Sequence, residues 1–124
     1  MNWLAVALGG ALGAMGRYAI TVYSFPLLAN RFPVATLSVN LLGSFLIGVC
    51  YVLIIEKSAI APEYRNWLMA GFLGAFTTFS TFALDAVTLW QNGHPQLAAM
   101  YVMASVAGCI LAVAAGIHCT LRFF

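Results

Sequence analysis

Four apolar runs follow one another along this chain, over residues 3–23, 34–55, 67–90 and 97–121. Each exceeds the roughly 20 residues that a helix needs to cross a bilayer. Backbone N–H and C=O groups in lipid must be satisfied within the protein, so runs of this length read as helices. Only 6% of the residues are charged and the mean hydropathy is +0.99. That is too little charge to cover the surface of a soluble domain of this size. Breakers separate the runs: Pro26, Asn30, Arg31 and Pro33, then Glu56-Lys57-Ser58 through Pro62-Glu63, then Asn92, Gly93, His94 and Pro95. The first run lacks a basic leader, is too long for a signal sequence and carries Arg17 inside it. The expectation is an all-α membrane protein, one domain over residues 1–124, with four transmembrane helices.

The third run is the least uniform. Trp67 and Trp90 mark its two ends, as tryptophan favours the bilayer interfaces. Midway between them the chain reads GAFTTFSTF over residues 74–82, placing Thr77, Thr78, Ser80 and Thr81 near the bilayer centre with Phe79 and Phe82 among them. Polar groups at that depth are costly unless they pack against protein or line a wet path. Gly71 and Gly74 next to this cluster predict a third helix loosened near the midplane, with carbonyls freed to bind a cation.

Helical spacing extends the pattern. Thr36, Asn40 and Ser44 lie four apart on the second run, Tyr101, Ser105 and Cys109 on the fourth, and Thr77 and Thr81 on the third. Any single hydroxyl reads as interhelical glue of modest value. Asn40, whose amide needs several partners, reads as functional. Counting from the run midpoints, Arg17, Asn40, Asp85, Tyr101 and Ser105 fall in the same half of the membrane, within roughly 6–12 Å of the midplane at about 1.5 Å per residue. One subunit thus carries half of a polar route, and an inverted partner would supply the other half. The charges allow this. Lys57, Arg65 and Arg122 lie on one side against Arg31, with Arg17 nearby, on the other, a weak bias under the positive-inside rule.

Other functions find little support. The three cysteines, Cys50, Cys109 and Cys119, sit within or at the ends of apolar runs and read as small hydrophobes. His94 and His118 sit near run ends and form no ligand pair. A net charge of +2 suggests no nucleic-acid partner. No metal-ligand cluster, nucleotide loop or catalytic pair is present, so an enzyme is not expected. Gly9 and Gly13 form a GxxxG pair and, with Gly10, Gly16, Gly43 and Gly48, read as close helix packing. A phenyl ring is positive at its edge and negative on its face, so edges toward a lumen suit an anion and faces a cation. Arg17 favours an anion; its alternatives are a pair with Asp85 or snorkelling to the interface.

Three stretches together resemble the signature of the Fluc (CrcB) fluoride channels: GFLGAFTTFSTF at 71–82, GALGAMGRY at 10–18 and NLLGSF at 40–45. One departure is Ala75, where the family more usually has a second glycine. The resemblance implies an antiparallel, dual-topology homodimer in the bacterial inner membrane, with two fluoride pores that export F− to relieve its toxicity. Phe79 and Phe82 would match the phenylalanines whose edges contact fluoride, and Asn40 the pore asparagine. Thr36, Ser80, Tyr101 and Ser105 would match polar groups along the path, and Arg17 the vestibule arginine. A structural Na+ at the dimer centre would be held by backbone carbonyls, here Gly74 and Thr77.

Two rivals stand beside this reading. A small multidrug-type exporter would need a membrane-embedded carboxylate, typically in the first helix, where this chain has none. A non-transporting scaffold subunit would use all its polar groups as glue.

Overall fold

The computed structural model describes residues 2–24 and 32–124. The breakers Pro26, Asn30 and Arg31 lie outside the described residues. Among the described residues the apolar runs are helical except at Thr77 and Thr78, with four spans long and apolar enough to cross a membrane: Trp3–Tyr23, Val34–Glu56, Asn66–Gln91 and Pro95–Phe123. Helix α1 is Asn2–Ser24. Helix α2, Val34–Cys50, continues into wider π-helical turns over Tyr51–Glu56. The third span begins with π-helical turns at Asn66–Leu73, passes through the short α3, Gly74–Phe76, and ends in α4, Phe79–Gln91. Helix α5 is Pro95–Phe123.

The turn from α4 to α5 follows from its residues. Gly93 takes φ +83°, the left-handed region open to glycine. Its N–H donates to Trp90 O at 3.2 Å and the His94 N–H to Leu89 O at 2.9 Å. That is the Schellman pattern of a glycine-terminated helix. Pro95 then opens α5, where a missing N–H costs nothing.

Glycines set how closely the spans approach. A Cβ on Gly9 would strike the Trp67 carbonyl, and one on Gly13 the Phe72 carbonyl. Gly71 answers from the other side, where a Cβ would meet the Val6 carbonyl at 3.0 Å. Thus α1 lies along the first half of the third span. Gly48 and Gly116 do the same for α2 and α5, which pack along each other. Lipid gives no hydrophobic drive between helices, so this backbone contact is what brings the spans together. Fully buried side chains are few, with Tyr101, Val39 and Val52 the largest, while Trp3, Leu8, Met103 and Leu111 face outward.

The loosening expected at Gly71 and Gly74 takes two forms: wider π-helical turns that include Gly71, and extended residues three and four positions beyond Gly74. Gly71 is helical and serves close approach, and Gly74 is helical at φ −62° and ψ −38°. The extended residues are Thr77 (φ −88°, ψ 159°) and Thr78 (φ −152°, ψ 124°). Thr77 and Thr81 therefore do not share one helical stripe.

Candidate functional site

Two extended residues inside an apolar span leave main-chain groups without their helical partners. The neighbours supply replacements. Asn40 on α2 grips Thr78 with both ends of its amide: Nδ2 donates to Thr78 O at 3.0 Å, and Oδ1 accepts from the Thr78 N–H at 2.8 Å. The Thr78 hydroxyl caps α4 by accepting from the Thr81 N–H at 3.2 Å. It also shares a 3.5 Å hydrogen bond with the exposed Ser80 hydroxyl. On the other side of the interruption, both the N–H and the hydroxyl of Thr77 donate to Leu73 O, at 3.0 and 2.9 Å. Gly43 makes room here, since a Cβ on it would strike the Thr77 methyl.

Arg17 takes part in the same repair. Its Nε donates to Ala75 O at 3.1 Å. In a continuous helix that carbonyl would accept from the N–H of residue 79, which here begins α4. The sequence alternatives for Arg17 are therefore corrected. It pairs with a main-chain carbonyl rather than with Asp85, because the interruption exposes an acceptor that no sequence pattern displays.

The carbonyls of Gly74 and Thr77 also lose their helical donors. The N–H groups that would serve Gly74 and Thr77 in a continuous helix belong to Thr78 and Thr81. Both are turned elsewhere, to Asn40 and to the Thr78 hydroxyl.

Beside the interruption lies an open groove of about 280 Å³ between α2, α4 and α5. Asn40, Ser44, Thr77 and Thr78 line one wall, and Ser105 and Cys109 another, with Phe79 and Phe82 between them. The two rings are 5.5 Å apart between centroids and tilted by 53°. Their surroundings differ: Phe82 is 8% exposed and Phe79 78%. Ser105 is 5% exposed, and its hydroxyl has no hydrogen-bond partner among the described residues. A buried hydroxyl without a partner costs roughly 1–3 kcal/mol, which marks a position that something else satisfies.

Toward the α4–α5 turn the polar line continues. The Tyr101 hydroxyl donates to Asp85 Oδ2 at 3.2 Å, and Thr36 stands beside it. The Tyr101 ring packs against Phe82 at 5.2 Å and edge-on to Phe32 at 5.6 Å. Asp85 also faces a wider mouth of about 430 Å³ lined by Pro33, Thr88, Asn92 and His94.

The structure thus gathers Asn40, Thr77, Phe79, Phe82 and Ser105 at one groove, with Tyr101 against its buried ring and Thr36 beside the Tyr101 hydroxyl. Ser80 stays outside the groove wall, and Arg17 acts through Ala75. Sequence reasoning did not single out Thr78, which holds the interruption through its backbone and its hydroxyl. The signal was present: a threonine directly ahead of an apolar-periodic segment is a favoured N-cap. Asp85 as the acceptor for Tyr101, and Phe32 as its edge-on neighbour, also went unnoticed.

Known proteins resemble this chain along nearly its whole length. A family model described as CrcB-like protein, Camphor Resistance (CrcB), matches residues 4–117. The fluoride-specific ion channel FluC of Saccharophagus degradans is 57% identical over 118 residues, covering 95% of this chain and 88% of that protein. The protein of the same name in Hahella chejuensis is 50% identical over 115 residues, covering 93% and 91%. That of Agrobacterium fabrum is 45% identical over 117 residues, covering 94% of each. With four apolar spans and matches along nearly its whole length, the chain is an integral, multi-pass membrane protein that belongs to the CrcB family.

Proposed function

We propose that this chain is a fluoride-selective passive channel, not an enzyme, that lets F− leave the cytoplasm across the bacterial inner membrane. Its similarity to proteins named fluoride-specific ion channels supports the ion. The observation that carries the reading at residue level is the groove. It joins two phenyl rings, the Asn40 amide and a buried Ser105 hydroxyl that lacks a partner. Ring edges and hydroxyl protons are donors without full charge, suited to an anion that must bind and leave. The path in this reading runs past Thr36, Tyr101 and Ser105 to Phe82 and Phe79, with Ser80 at its side and Arg17 near its vestibule.

A passive channel suffices for the task. Fluoride enters acidic surroundings as neutral HF and is trapped inside as the anion. An inside-negative potential drives it out with about 2.3 kcal/mol per 100 mV.

The functional unit in this proposal is an antiparallel, dual-topology homodimer of one four-helix domain over residues 1–124, with two pores. The one-sided polar residues and the weak charge bias support it. The third helix is broken at Thr77–Thr78 near the midplane, as the extended angles there suggest. The family's structural Na+ would be held by the carbonyls of Gly74 and Thr77. These fit, because their helical donors are turned to other acceptors and hard oxygen ligands suit a hard cation. When bound, the ion would supply a fixed positive charge. The chain's own part is to hold those carbonyls apart from the helix.

Fluoride efflux from liposomes carrying the purified protein, followed with a fluoride electrode, tests the reading. Rapid fluoride loss without chloride loss is expected, and no fluoride loss overturns it. Replacing Na+ by a large organic cation should weaken the flux or the dimer, and an unchanged dimer with full flux would remove the sodium alone.

A further inference from the structure

The groove contains one group that an anion path does not call for. Cys109 lines it four residues beyond Ser105 on α5. At that spacing the two side chains lie on one helical face, about 5–6 Å apart at Cβ. Cys109 is a free, half-buried thiol. Ser105 Oγ is buried and without a partner among the described residues, and it lines the same groove. Ser44 on α2 lines it as well. A thiol with hydroxyl oxygens beside it, in an otherwise apolar cleft, is a ligand set for a soft cation of low charge. Thiolate sulfur selects soft metals and has little affinity for hard ions such as Na+.

We propose that Cys109, assisted by Ser105, forms a soft-cation site of the Ag+ class inside the groove, and that its occupation blocks the path. The blocking half rests on the reading of the groove as the fluoride route. Binding is a substitution without redox chemistry. The Cys109 S–H bond breaks, a sulfur–silver bond forms, and the proton passes to water. The site stays neutral overall, so the cation is not expelled by the charge cost of the apolar cleft. Fluoride, a hard anion, neither competes for sulfur nor removes the silver. The other two cysteines do not line this groove: Cys50 ends α2, and Cys119 is exposed near the end of α5.

The test uses the full-length protein in liposomes, with fluoride and nitrate salts and no chloride, so that silver stays soluble. Silver nitrate is added and fluoride efflux is recorded. In parallel, maleimide labelling of Cys109 is read by mass spectrometry with and without silver. Wild-type efflux should fall by at least about tenfold, as expected when a lumen-lining group is occupied, and should return on adding excess dithiol. Cys109→Ser should keep its own efflux in silver, whereas Cys50→Ser and Cys119→Ser should remain as sensitive as wild type. Silver should also protect Cys109 from maleimide.

Equal silver sensitivity in Cys109→Ser and wild type would overturn the proposal. So would unhindered labelling of Cys109 in silver, or full protection with undiminished efflux. If the protein conducts no fluoride even without silver, the channel reading fails. Protection of Cys109 then still decides whether the metal site exists.

Discussion

The third span and α5 cross the same apolar layer, and both bring polar groups into it, but by opposite means. Helix α5 runs unbroken for 29 residues and satisfies its own backbone. Its polar groups, Tyr101, Ser105 and Cys109, are side chains added to an intact helix. The third span gives up helical hydrogen bonds at Thr77 and Thr78, so its polar groups are main-chain atoms. It therefore depends on replacement partners: the amide of Asn40 and the guanidinium of Arg17 from neighbouring helices, and its own Thr78 hydroxyl. The magnitudes separate the two cases. An unsatisfied main-chain group in lipid costs several kcal/mol, whereas an interhelical side-chain hydrogen bond contributes about 0.6 kcal/mol on average. Polarity on α5 is therefore separable from the fold, and polarity at the interruption is not.

The largest expected effect breaks the third span at its main support. Asn40→Asp keeps an acceptor for the Thr78 N–H but sets a carboxylate against the Thr78 carbonyl, in lipid and beside the groove. Fluoride efflux should be abolished, and the protein should lose roughly 2–4 kcal/mol of stability, since a donor is lost and a charge is buried. Thermal unfolding in detergent and efflux from liposomes check the two parts. Normal efflux from a variant of normal stability would show that the amide pair is ordinary glue.

The phenylalanines come next, and they divide by burial. Phe82→Ile removes a buried ring packed against Tyr101 and should cost about 1–2 kcal/mol. Phe79→Ile, at an exposed ring, should leave stability within about 0.5 kcal/mol. If ring edges contact the ion, both should lower efflux by about tenfold or more despite this difference in stability. Efflux that simply follows stability, with Phe79→Ile at wild-type level, would reduce the ring pair to packing.

How far the sequence foretold this arrangement depends on what carried the information. Span positions were legible because length and hydropathy decide them, and residues 34–55 and 67–90 became Val34–Glu56 and Asn66–Gln91. The region of the interruption was legible in its clustered hydroxyls. Its seat was not, because glycine serves both a loosened helix and a close contact, and Gly71 is used for contact with α1. Asn40 stood out as a polar group needing partners. Its partner did not, because a backbone amide 38 residues away leaves no mark in the sequence. Arg17 reads from the sequence as a charge favouring an anion, with Asp85 or the interface as alternatives; its carbonyl partner is not legible there, since an exposed carbonyl at Ala75 exists only once the chain has folded. Tyr101 and Asp85 were placed in the same half of the membrane, which is the condition for their hydrogen bond.

Arg17 sharpens the comparison, since it can serve the third span through its charge or through its geometry. Arg17→Lys keeps the charge and loses the planar Nε donor. If capping Ala75 is its main task, stability should fall by about 1.5–3 kcal/mol, in the range of hydrogen bonds to charged groups, and efflux with it. If a positive vestibule is its main task, lysine should preserve both. Salt dependence tells the two apart. A vestibule charge loses influence on efflux at high ionic strength, whereas a hydrogen bond to Ala75 O does not.

The smallest expected effect on the fold comes from α5 and tests the other side of the comparison. Ser105 carries a buried hydroxyl with no partner among the described residues, so Ser105→Ala removes an uncompensated polar group rather than an interaction. The helix around it is unbroken, and alanine is the best helix former. Stability should therefore stay within about 0.5 kcal/mol of wild type or rise. Efflux should nonetheless fall several-fold, by about the weight of one hydrogen bond to a passing anion. A polar group that weakens the fold and aids passage belongs to the path, because packing alone gives no reason to retain it. A stability loss above about 1 kcal/mol would reveal a partner contributed by the second subunit or by water. Unchanged efflux would remove Ser105 from the route and leave Tyr101 and the phenylalanines to carry it.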